Sequence, residues 1–122
     1  MGQLRSQWQA HKQALDAVGV KTSIFSQDFG PRLDDFDTAR SDYDRQLGRL
    51  GPKDPKWIAI KDAVKKSGKA LDPIFAKYTQ NVTYLEEHAT DPKQKHPLEN
   101  AQGWLVGTMT TTIKPYVKKA ST

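Results

Sequence analysis

The chain has 122 residues, enough for one domain with a buried core; at 36% hydrophobic and 27% charged residues it is polar but outside the disordered regime. It has no cysteine, which excludes disulfides and thiolate metal sites, and no apolar run long enough to cross a membrane. The formal charge of +5 is unevenly spread: residues 1–50 hold seven basic and seven acidic side chains, residues 51–122 hold twelve and seven, and after position 50 every basic residue is lysine.

Leu4, Trp8, His11, Leu15, Val18, Thr22, Phe25 and Phe29 recur at intervals of four and three, which predicts a first helix with one buried stripe. Gly19 and its β-branched neighbours mark a weak point where that helix can break or tighten. Opposite the stripe, Ala10, Ala17, Val20 and Ile24 fall within about 80° of one another at 100° per residue. A helix apolar on two faces is either central in its bundle or covered by another chain.

Gly30-Pro31 reads as a boundary, followed by a second helix over residues 31–50 that buries Leu33, Phe36, Ala39, Tyr43, Leu47 and Leu50. Residues 51–55 form a turn, with Asp54 as N-cap and Pro55 at the first helical position. The third helix is expected to bury Trp57, Ile60, Val64, Gly68, Leu71, Phe75, Tyr78, Val82 and Leu85. Its spacing stays in phase across Asp72-Pro73, so the expectation there is a kink, not a chain reversal. Residues 90–97 read as a loop. A last helix then buries Leu98, Ala101, Leu105, Met109, Ile113 and Tyr116 and frays after Pro115. With no competing strand pattern, the expectation is all-α: one domain over residues 1–122, an up-and-down bundle of about four helices, the third kinked near Pro73.

Asp34, Asp35, Asp37, Asp42 and Asp44 put five carboxylates into eleven positions of the second helix. Asp35 and Asp42, like Asp37 and Asp44, are seven residues apart, about 10 Å along the axis at 1.5 Å per residue. Carboxylates that share a cation on one helix sit three or four apart. These pairs instead flank the buried stripe as seam charges, while Asp34 projects about 160° away from Phe36. An EF-hand loop fails for want of alternating ligands, a central glycine and a late glutamate.

The three histidines form no Glu-x-x-His motif, and the three glutamates are too few for a carboxylate-bridged di-iron site. His11 reads as a core histidine of the first helix. No nucleophile elbow or phosphate-binding glycine loop is present. The expectation is therefore a non-enzymatic protein with no cofactor and no metal site. It docks on a protein partner, or on a second copy of itself, through Ala10, Ala17, Val20 and Ile24. The alternative uses the third helix: residues 53–77 carry seven lysines against three aspartates, with Lys65, Lys66 and Lys69 on one exposed face. Such a face would bind an anionic polymer, nucleic acid included, or a membrane surface, weakly and non-specifically. The N-terminus lacks a signal-peptide pattern, so the expected location is cytoplasmic, with export by another route left open.

Overall fold

Local chain chemistry sets where each helix starts and stops. The computed structural model describes residues 3–20 and 29–122, and every regular element among them is helical. Helix α1 spans Gln3–Ala17, α2 Phe29–Gln46, α3 Pro55–His88 and α4 Pro92–Thr108; a π-helical turn at Met109–Ile113 then leads directly into α5, Lys114–Ala120.

Helix α1 stops well before Phe29. Gly19 takes a φ of 75°, its N–H donates to Asp16 O at 3.1 Å, and Val20 N–H donates to Leu15 O at 3.0 Å. This is a Schellman ending, in which a left-handed glycine reverses the chain and turns the next apolar residue back onto the helix. Val20 is accordingly buried in the core. The weak point at Gly19 is a true stop, and the face drawn through Val20 does not continue. Ile24 and Phe25 lie outside the described residues.

Helix α2 begins at Phe29, two residues ahead of the expected start, so Gly30 lies within its first turn, as Pro31 does. Glycine is needed at position 30 for room: a Cβ there would come 2.8 Å from Arg5 Nε and 3.2 Å from Trp8 Cζ3. At its other end α2 stops four residues earlier than expected, at Gly48 with φ 78°, which leaves Leu47 exposed and not buried.

Asp54 caps α3 by accepting from Lys56 N–H at 2.9 Å, with Pro55 behind it. The helix runs unbroken through Pro73, whose exposed position lets the Lys69 carbonyl, left without its i+4 donor, face water. The expected loop at 90–97 is mostly helix. Asp91 accepts from Lys93 N–H at 2.9 Å with Pro92 in the first turn, the same start signal as Asp54-Pro55. Pro97 sits inside α4. The chain also stays helical past Pro115, and Ala120 is buried. Leu105, Met109 and Ile113 are spaced by four, each step drifting about 40° beyond a full turn. The wider π-helical turn over Met109–Ile113 takes up that drift and keeps the stripe on the core.

Side-chain partners give the direction of every neighbouring pair. Arg5 meets Asp34 and Leu4 meets Asp37; Tyr43 meets Trp57 and Phe29 meets Phe75; Thr83 meets Gln102 and Phe75 meets Trp104; Gln7 meets Trp104 and Val18 meets Gln94; Lys61 meets Thr122 and Gly68 lies against Val117. In each pair of helices one residue number rises as the other falls, so adjacent helices are antiparallel. Helix α1 packs on α2 and α4, and α3 on α2, α4 and α5. The architecture is an up-and-down bundle around a core that includes Phe29, Phe36, Phe75, Leu71 and Leu105.

Helix α5 approaches α3 most closely at Gly68, where an added Cβ would overlap the Val117 side chain and touch Phe36 at 3.4 Å. Gly68→Ala should therefore destabilise the fold by about 1–2 kcal/mol, overpacking outweighing the gain in helix propensity. In a Val117→Ala background the same change should become neutral or stabilising. Denaturant titration of the four proteins checks this, and an equal cost in both backgrounds would contradict the contact.

Candidate functional site

The aspartates of α2 hold the bundle together. Asp37 is buried and accepts from Leu4 N–H at 2.8 Å and from Arg40 Nε at 2.9 Å. Leu4 lies in the first turn of α1, whose N–H groups have no partner within their own helix, so α2 caps α1 from outside. Asp34 does not point away: it pairs with Arg5 at 2.6 Å. Asp42 pairs with Arg45, and Asp44 accepts from Tyr116 O–H at 2.6 Å. Burial, then the bond to Asp44, raises the Tyr116 pKa above its usual 10.0. Among the described residues no three His, Asp or Glu side chains gather where they could hold a metal ion.

The histidines are dispersed. His11 is half-buried against the Trp104 ring at 5.6 Å, and burial lowers its pKa below 6.5. His88 is exposed, stacks on Tyr84 at 4.1 Å and bonds the Tyr84 carbonyl through Nδ1 at 2.8 Å. His96 is exposed on the first turns of α4.

Of the four residues on the expected second face of α1, Ala10 and Ala17 are exposed, Val20 is in the core and Ile24 is outside the described residues. Two methyl groups make a poor apolar surface. The lysines are better placed. On α3, Ile58, Asp62, Lys65, Lys69 and Asp72 follow one another at intervals of four, three, four and three, a single stripe along one side of the helix. Helix α5 and the residues after it lie alongside, so that Lys61 and Lys65 face Ala120–Thr122 across one recess and Lys69 faces Lys114 and Lys118 across a second. The seam gathers five lysines and two aspartates over a floor that includes Ile58, Ile113 and Val117.

Lys61 donates to the Thr122 carbonyl at 3.3 Å, and Asp62 is paired with Lys66 at 3.0 Å on the outer side of α3. The side chains of Lys65, Lys69, Lys114 and Lys118 make no ion pair or hydrogen bond with the described residues. Lys66 is thus separated from Lys65 and Lys69, whereas Lys114 and Lys118 join them from another helix. Sequence reading missed those two because only tertiary packing brings α5 onto this side of α3. Ile58 is a large apolar residue left 52% exposed beside Lys61, Asp62 and Lys65 at one end of the seam.

No helix among the described residues is long and apolar enough to cross a membrane. No protein-family model, curated protein or solved structure matches the chain.

Proposed function

We propose that the protein is a non-enzymatic binding module that docks on an acidic surface of a partner protein through the seam between α3 and α5. The observation that carries this reading is the run of Lys61, Lys65, Lys69, Lys114 and Lys118 along one seam, from two helices and against only Asp62 and Asp72, with the exposed Ile58 at the Lys61–Lys65 end of it. With five lysines against two aspartates the seam is net positive, and an acidic occupant relieves the remaining repulsion. The α1 face is a weaker candidate because Val20 is spent on the core. Nucleic acid is also less well served: no arginine lines the seam to fork onto phosphate or guanine, and the one ring beside a seam lysine, Trp57 under Lys61 at 6.0 Å, is buried against Tyr43 and not open for bases to stack on.

The test is fluorescence anisotropy at low salt with a labelled glutamate-rich peptide. Reversing Lys65, Lys69 and Lys118 to glutamate together should weaken binding by about tenfold or more, since three exposed pairs at roughly 0.5 kcal/mol each multiply to that factor. Reversing Lys93 and Lys95, exposed at the start of α4, should change affinity by less than about twofold. Equal losses in both variants would reduce the seam to a share of the net charge. No binding by the wild type would end the reading.

A further inference from the structure

Resting on that reading of the seam, we propose that its occupant is an acidic amphipathic helix of a partner protein. It lies along α3, its apolar side on Ile58 and Val117 and its carboxylates on the lysines of α3 and α5.

The form of the occupant follows from what the seam offers. An extended peptide gains affinity by pairing its backbone with an open sheet edge, and the described residues contain no strand. Along the seam the backbone groups of α3 and α5 are used within their own helices apart from the Lys69 carbonyl freed by Pro73, so affinity must come mainly from side chains. Two helices side by side leave a groove into which the side-chain ridges of a third helix can interlock. The stripe from Ile58 to Asp72 is fourteen residues long, about 21 Å at 1.5 Å per residue, and matches a partner helix of about four turns.

The chemistry of the occupant follows from the walls and floor. Lysines on both α3 and α5 require carboxylates on both flanks of the incoming helix. Ile58 and Val117 between them require an apolar stripe at intervals of three and four. A membrane surface fits less well, because Val117 lies in a recess between helices where a flat bilayer does not reach, which leaves Ile58 as a single exposed apolar contact. A second copy of this chain fits less well too. Its own acidic helix, α2, buries Leu33, Phe36, Ala39 and Tyr43 in the core and commits Asp34, Asp37 and Asp44 to Arg5, Arg40 and Tyr116.

The experiment is selection of a displayed library of helical peptides, randomised at all outward positions, against the full chain. Binding of the winners is then compared with binding of the unpatterned glutamate-rich peptide, duplex DNA and anionic phosphatidylserine vesicles. The expected winners carry apolar residues at intervals of three and four flanked by Asp or Glu. They should lose about tenfold on Ile58→Ser, which removes the apolar anchor from a surface position without opening the core. The glutamate-rich peptide should be indifferent to Ile58→Ser. Winners without acidic flanks, or indifferent to Ile58→Ser, would overturn the proposal, as would failure of the library to enrich. If the unpatterned peptide still binds through the lysines, the seam remains a docking face for something other than a helix. DNA or vesicles binding more tightly than any winner would overturn both the helix and the protein partner.

Discussion

Phe29→Ala is expected to destabilise the protein by about 3–5 kcal/mol, the range for removing a large aromatic side chain from a core that cannot collapse around the gap. Phe29 is 1% exposed and meets three rings nearly edge-on: Trp8 of α1 at 5.5 Å, and Phe75 and Tyr78 of α3 at 5.4 and 4.9 Å. It thereby joins three helices at the start of α2, and each edge-to-face pair adds to the area term. Phe29→Leu keeps much of the volume and should cost roughly half as much. Chemical denaturation monitored by far-ultraviolet circular dichroism measures both. A loss below about 1 kcal/mol for the alanine variant would mean that the aromatic cluster is not packed as described.

Asp37→Ala is expected to cost about 2–4 kcal/mol, although it removes a surface-type residue from an exposed-looking acidic run. The change strips the cap from Leu4 N–H and leaves the Arg40 guanidinium, 17% exposed, without its carboxylate. Breaking one side of a buried charged pair costs more than the pair contributes, because the surviving charge stays desolvated. Asp37→Asn keeps an acceptor for the Leu4 amide and should lose less than the alanine variant. The same denaturation experiment ranks them. If both variants match the wild type, Arg40 has turned to water and α1 does not depend on α2 for its start.

The contrast between Asp37 and its neighbours shows how far one sequence can be read. The 3.6-residue period located the buried faces of α2 and α3, because burial of a helix face is a local, repeating constraint. It also placed the aspartates of α2 beside a seam. It could not say that Asp37 would cap another helix, since the register between α1 and α2 is set by packing around Trp8, Phe29 and Gly30. Helix ends were legible where their chemistry was recognised. Asp54-Pro55 was read as a start, yet the same pair at Asp91-Pro92 was passed over because Pro97 and the nearby charges resemble a loop. Asp72-Pro73 repeats the pair inside a helix, where an apolar stripe unbroken on both sides overrides the cap.

The candidate site was legible in half. Lys65 and Lys69 are visible as a row on α3; Lys114 and Lys118 are not, because Lys118 follows Pro115 where the sequence reads as a fraying tail and only tertiary packing brings Lys114 to this side of α3. The π-helical turn and Gly68 together bring α5 onto α3, and neither has a signature that predicts the contact. The opposite error occurred on α1, where helical phase was carried through Gly19 and Val20 was placed on a surface it does not reach.

The claim that the α3–α5 seam is the docking face is tested most directly by mapping amide chemical shifts during titration with the glutamate-rich peptide. The account predicts the largest changes between Ile58 and Asp72 and between Lys114 and Ser121, fading together as salt is raised. Changes centred on Ala10 and Ala17, or spread evenly over every lysine in the chain, would contradict it.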